Sequence, residues 1–140
     1  MSELTERQLV DVLKSRDLNL EKFAELANQF DFNIALTLFA KGTVISGNTV
    51  SGKSYFEALA SKYGPHVEGR PTLGDYFRAF SAEGYEPKEN EQFSAPLNFL
   101  HLEKVHVLTG TGNFVPFSGG LLRIKIEEVD GYILGNAVSG

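Results

Sequence analysis

The sequence has no cysteine, which removes disulfides, thiolate-bound zinc and thiol nucleophiles from consideration together. Tryptophan is absent too, so the aromatic side chains are 11 Phe and 5 Tyr. No apolar run approaches the ~20 residues needed to cross a bilayer. The opening Met1-Ser2-Glu3-Leu4-Thr5-Glu6 has neither the basic start nor the apolar stretch of a secretory leader. Basic residues are outnumbered: 13 Lys and Arg against 18 Asp and Glu leave a net charge of -5, a field that repels nucleic acid and anionic membranes. These absences predict a cytoplasmic protein with no membrane partner and no nucleic-acid partner.

What is present fits one domain over residues 1–140, with 42% apolar and 22% charged residues, enough to bury a core without staples. Residues 1–31 read as N-terminal helices in two pieces. Thr5 with Gln8 makes a capping box ahead of Leu9, Val10 and Leu13. Asn19 is placed to cap a second helix, in which Leu20, Phe23, Ala24, Ala27 and Phe30 recur at helical spacing. The period then becomes two. Phe32, Ile34, Leu36 and Leu38 alternate with smaller residues, Lys41-Gly42 supplies a turn, and Thr43 to Ser46 start a β-branched return strand. Residues 32–52 are thus a β-hairpin, and Gly47 inside its second strand implies a bulge or sharp bend.

Residues 53–96 read as a helical and loop insertion. Tyr55, Phe56, Leu59, Ala60 and Tyr63 form one stripe ending at Gly64-Pro65, and Leu73, Tyr76, Phe77 and Phe80 suggest a second short helix. Residues 81–96 are acidic and punctuated by proline and glycine, which predicts a loop. Residues 97–140 return to strand character: 97–108, then Leu122, Ile124 and Ile126 alternating with Arg123, Lys125 and Glu127, then Asp130-Gly131 as a tight turn into Tyr132. The fold expected is α+β: N-terminal helices and a small curved antiparallel five-stranded β-barrel, with a helical insertion between strands 2 and 3. The Gly42-to-Gly47 spacing across turn and return strand resembles the first motif of Sm-like domains. The Sm-like RNA-contacting loop is replaced here by Ser51-Gly52-Lys53-Ser54.

One stretch carries a competing message. Gly47-Asn48-Thr49-Val50-Ser51-Gly52-Lys53-Ser54 fits the P-loop pattern letter for letter. A true P-loop wraps free amides around phosphates at a helix start, beside a parallel sheet built of alternating strands and helices. This chain offers hairpins and clustered strands, so the hairpin reading is preferred and nucleotide binding through Gly47–Ser54 is the alternative. Other chemistry is sparse. Gly110-Thr111-Gly112 and Gly119-Gly120 read as turns. His66, His101 and His106 are too scattered for a shared metal, Glu127 and Asp130 read as solvated charges, and no G-x-S-x-G elbow occurs. The residues thus nominate no catalytic, cofactor-binding or metal site, and a non-enzyme is expected.

Three ordered segments add a family likeness. Val44-Ile45-Ser46-Gly47-Asn48-Thr49-Val50-Ser51 with Tyr55-Phe56, then Phe99-Leu100-His101-Leu102-Glu103-Lys104-Val105, then the run from Arg123 to Gly135 containing Val129-Asp130-Gly131-Tyr132 together resemble the gas-vesicle accessory protein GvpU family. The resemblance implies a cytoplasmic, non-enzymatic accessory of gas vesicles, assisting their assembly or clustering by contact with shell proteins, other accessories or itself. On that basis a strand edge and the aromatics Phe114, Phe117 and Tyr132 are the candidate contact surface, with the acidic 81–96 stretch tuning attraction between copies; the alternative is that those aromatics close the core. An Sm-like nucleic-acid module is the remaining alternative.

Overall fold

The computed structural model describes residues 5, 6, 8, 17–64, 66–85, 95, 97–117 and 120–136. The Thr5–Gln8 capping box is present: each backbone N–H donates to the other side chain, at 2.9 and 3.1 Å. Leu9, Val10 and Leu13 lie outside the described residues.

The first described helix, α1, spans Leu18–Phe30. Its cap is Asp17, not Asn19: Asp17 Oδ1 accepts the amides of Asn19 and Leu20 at 2.8 and 3.1 Å. The carboxylate thereby satisfies two of the amides that a helix start leaves without partners. Asp17→Ala is expected to lower stability by about 1 kcal/mol, measurable as a lower urea midpoint with unchanged m-value. Leu20, Ala24 and Ala27 bury one stripe of α1. Phe30, expected on that stripe, is exposed, because the helix ends there and Asp31 turns the chain away in a left-handed conformation (φ 56°).

β1 (Ala35–Ala40) and β2 (Thr43–Val50) form the expected hairpin. The first strand begins three residues later than its hydrophobic alternation suggests, and Phe32 is exposed. Lys41 and Gly42 both have positive φ, 50° and 82°, as a two-residue type I′ turn requires. Lysine tolerates that conformation beside a fixed partner: its amide donates to Asp130 Oδ2 at 2.8 Å.

Between β2 and the third strand lie α2 (Gly52–Tyr63) and α3 (Leu73–Gly84). Thr72 and Asp75 make a reciprocal capping box at the start of α3. The two helices approach until backbone meets backbone at Gly74, where an added Cβ would lie 2.8 Å from Ala60 O and closer still to Gly64 O. The loop expected from residue 81 starts later, because Ser81 and Tyr85 are buried in the turn and cap that end α3. Residues 86–94 and 96 fall outside the described residues.

The chain then adds β3 (Phe99–Leu108), β4 (Phe114–Pro116), β5 (Leu122–Lys125) and, after a 3-10 turn at Ile126–Glu128, β6 (Gly131–Leu134). All strand pairs are antiparallel, in the order β4-β3-β2-β1-β6, with β5 also on β3. Two expectations change here. The sheet has six strands, and it is open: among the described residues β6 pairs with neither β4 nor β5. β4 covers His106 to Leu108 of β3 while β5 covers Phe99 to Leu102, so the two are successive pieces of one edge.

The break has a local cause. Opposite β2 the register slips between Ser46 and Asn48, whose partners are His106 and Glu103, so the extra residue belongs to β3. Lys104 there is left-handed (φ 53°), which places the bulge on the strand facing Gly47. Gly47 is needed all the same: a Cβ on it would come within 3.1 Å of Glu103 O and 3.3 Å of Val105 Cγ2.

Asp130-Gly131 is no hairpin turn either. It ends a short crossing from β5 at one edge to β6 at the other, and the Asp130 amide donates to Phe39 O at 2.7 Å. Flat strands ~4.8 Å apart would separate these edges by roughly 19 Å, near the full reach of the connection, so the sheet must curl. Residues from both edges, Ile124 on β5 and Tyr132 on β6, accordingly pack against one core of Leu20, Leu36, Leu38, Leu100, Leu102 and Ile126. A second core, Val50, Tyr55, Phe56, Tyr85 and Ala95, lies between the helices α2 and α3 and the sheet.

Candidate functional site

The P-loop letters do not build a P-loop geometry. Gly47, Asn48, Thr49 and Val50 are all ladder residues of β2, and the Thr49 amide donates to Ile34 O at 2.8 Å. The half of the pattern that would have to wrap a phosphate is therefore extended, with neighbouring strands on both sides. Ser51 is the cap of α2, its Oγ accepting from the Ser54 amide at 3.0 Å. The Gly52 amide donates to Asn28 Oδ1 at 2.8 Å. An open hollow of about 490 Å³ lies here, bordered by Asn28, Asp31, Ser51, Lys53, Glu57 and Tyr85, and two carboxylates on its rim disfavour an anionic occupant.

The other sequence candidates also separate. His66 is exposed beside Asp75, His101 is buried in the second core, and His106 Nδ1 sits 3.1 Å from Lys104 O. No group of three or more metal-ligating side chains occurs among the described residues. Asp130 is committed to Lys41, whose backbone amide and charge hold its carboxyl below the usual range, while Glu127 is exposed. The pair has no common focus.

What the fold does present is an edge. The Gly135 amide donates to Ala35 O at 2.8 Å, and the alternation of an antiparallel ladder then turns the amides of Tyr132 and Leu134 outward from β6. Among the described residues no strand lies beyond them. Ile133 and Leu134 on this edge are 58% and 64% exposed, an apolar surface beside free backbone groups. Of the three aromatics expected there, Tyr132 is partly buried, edge-on to Phe23 with 6.0 Å between ring centroids. Phe114 is half-buried and Phe117 is exposed, both at the opposite edge. That opposite edge is blunted by Pro116, which has no N–H to offer an added strand.

A further cluster went unmarked in the sequence. Arg123 reads as the solvent-facing alternate of a one-faced strand, yet its guanidinium lies 3.8 Å from the Phe99 ring centroid. Phe56 and Phe80 flank it at 5.3 and 5.5 Å. Opposite it in the β3–β5 register is His101, 3% exposed, with Tyr55, Tyr85 and Phe56 rings at 4.9, 5.3 and 5.7 Å. Burial, reinforced by the charge of Arg123, pushes the imidazole pKa down to about 3. The Tyr55 and Tyr85 hydroxyls are raised by burial against the opposing pull of the same cation. Only pairing register and helix placement bring these residues together, so local spacing carries no signal for them.

No described helix is long and apolar enough to cross a membrane. In comparison with known proteins, the family model described as gas vesicle protein GvpU-like matches residues 17–137. No curated protein matches the chain.

Proposed function

The chain belongs to the GvpU-like family of gas vesicle proteins, and from that premise we propose that it is a cytoplasmic, non-enzymatic accessory acting by protein–protein contact. Its partners in this reading are the vesicle shell, another accessory or a second copy of itself. The observation that carries the reading is the outer edge of β6, where outward amides of Tyr132 and Leu134 adjoin exposed Ile133 and Leu134. An edge of this kind is completed by a strand from another chain, with backbone hydrogen bonds giving affinity and the side chains giving selectivity.

Charge sets the condition for contact. Copies carrying a net charge of -5 repel one another, and Glu127, Glu128 and Asp130 lie just before the edge. Salt near 0.15 M screens such repulsion beyond about 8 Å, so association strengthens as salt rises. Flotation tests this directly. Mixed with purified gas vesicles and centrifuged, the wild-type protein is expected to rise with them, and Ile133→Lys/Leu134→Lys to stay in the liquid below while melting normally. A wild-type protein that remains below the vesicles and stays monomeric at every salt concentration overturns the proposal.

A further inference from the structure

The β5 edge of the sheet holds a cation whose partners do not balance. Among the described residues, ion pairs engage Lys22, Lys41, His66 and Arg78, and none engages Arg123. Its Nε is buried without a hydrogen-bond partner, as are His101 Nε2 and the Tyr85 hydroxyl. Tyr85 and His101 are only 2% and 3% exposed. Arg123 acts on the Tyr85 hydroxyl through its charge and through a marginal side-chain contact, one that falls short of full hydrogen-bonding geometry.

The charge among these three groups is one-sided. Arg Nε–H can only donate, while the Tyr85 hydroxyl and a neutral imidazole can donate or accept, and among the described residues no carboxylate is paired with Arg123. A buried polar group left without a partner is destabilising, and such groups rarely gather in one place without something to receive them. The stacking of Arg123 on Phe99 settles the direction of approach. A guanidinium laid against an aromatic face keeps its in-plane N–H edge available, the geometry that matches a carboxylate or phosphate.

We propose that Arg123, with Tyr85 and His101 beside it, binds an oxyanion through its guanidinium edge. The oxyanion is a carboxylate or phosphate group, carried either by a small free anion or by an acidic side chain of another protein. This site lies on the edge opposite β6 and stands or falls independently of the contact proposed there.

Side-chain NMR of the arginine Nε–H resonances provides the test, with sodium chloride at equal ionic strength as reference. Inorganic phosphate and acetate are each expected to shift the Arg123 resonance saturably while Arg70 and Arg78 stay in place. Arg123→Lys abolishes the saturable response. Tyr85→Phe, which keeps the ring and so guards against a failure of Arg123→Lys to fold, weakens binding by about ten-fold. A polyglutamate peptide that binds at least ten-fold more tightly than acetate assigns the oxyanion to a protein side chain, and equal affinity assigns it to a small anion. If no probe moves the Arg123 resonance beyond the chloride reference, or Tyr85→Phe binds like wild type, the assignment is wrong.

Discussion

Acidification from pH 7 towards pH 3 is expected to remove roughly 4–5 kcal/mol of folding stability through His101 alone. Its imidazole titrates near 6.5 when unfolded and near 3 when folded, because burial among Tyr55, Phe56 and Tyr85 opposes the charged form and Arg123 adds repulsion. The sign follows from proton counting. Above pH 6.5 both states hold the ring neutral and His101 makes no contribution to the pH dependence. Between 6.5 and 3 the unfolded chain binds a proton that the folded chain refuses, so stability falls by about 1.4 kcal/mol per pH unit. Below 3 the slope vanishes again.

The loss is large against a total of about 5–15 kcal/mol for a typical domain. Urea unfolding at pH 7, 5.5 and 4 measures it. Asp75 and Asp130, whose carboxyl pKa values are lowered by their backbone partners, add a further loss of stability at the acid end. The difference between wild type and His101→Phe isolates the histidine. Phenylalanine is expected to flatten the slope by close to one proton, and an unchanged slope would show that His101 does not resist protonation in the folded state.

Gly52→Ala is expected to destabilise the protein by about 3 kcal/mol, the upper part of the usual cost of overfilling a core. At most helical positions the same change stabilises, by up to about 1 kcal/mol. The reversal comes from Tyr85. A Cβ on Gly52 would overlap the Cδ1 and Cε1 atoms of that ring, and the ring cannot swing aside. It is 2% exposed, with Phe56 at 5.7 Å, Phe80 at 6.3 Å and His101 at 5.3 Å. A double-mutant cycle with Tyr85→Ala provides the check. In the Tyr85→Ala background Gly52→Ala should cost nothing or stabilise, whereas an equal cost in both backgrounds would place the difficulty in the backbone of α2.

The two glycines that produce the P-loop letters therefore have separate tertiary reasons. Gly47 makes room for the bulged β3 backbone at Glu103, and Gly52 makes room for Tyr85. Neither reason is visible along the chain, since β3 and Tyr85 lie tens of residues away. This is why a letter pattern made by packing can imitate one made by phosphate binding.

Local physics, written in the sequence, determined the elements. The Lys41-Gly42 turn, the β-branched return strand and the Tyr55-Phe56-Leu59-Ala60 stripe depend on neighbours within a few residues. The same holds for the absence of cysteine chemistry and of a membrane-spanning run. Helix ends were only partly legible, because Asp17 and Asn19 are both good caps and only the backbone geometry selects Asp17. Tertiary structure alone decided the openness of the sheet, the division of its edge into β4 and β5, and the exposure of Ile133 and Leu134. It also decided the meeting of Arg123, His101 and Tyr85, since register across strands is set by what the two faces bury.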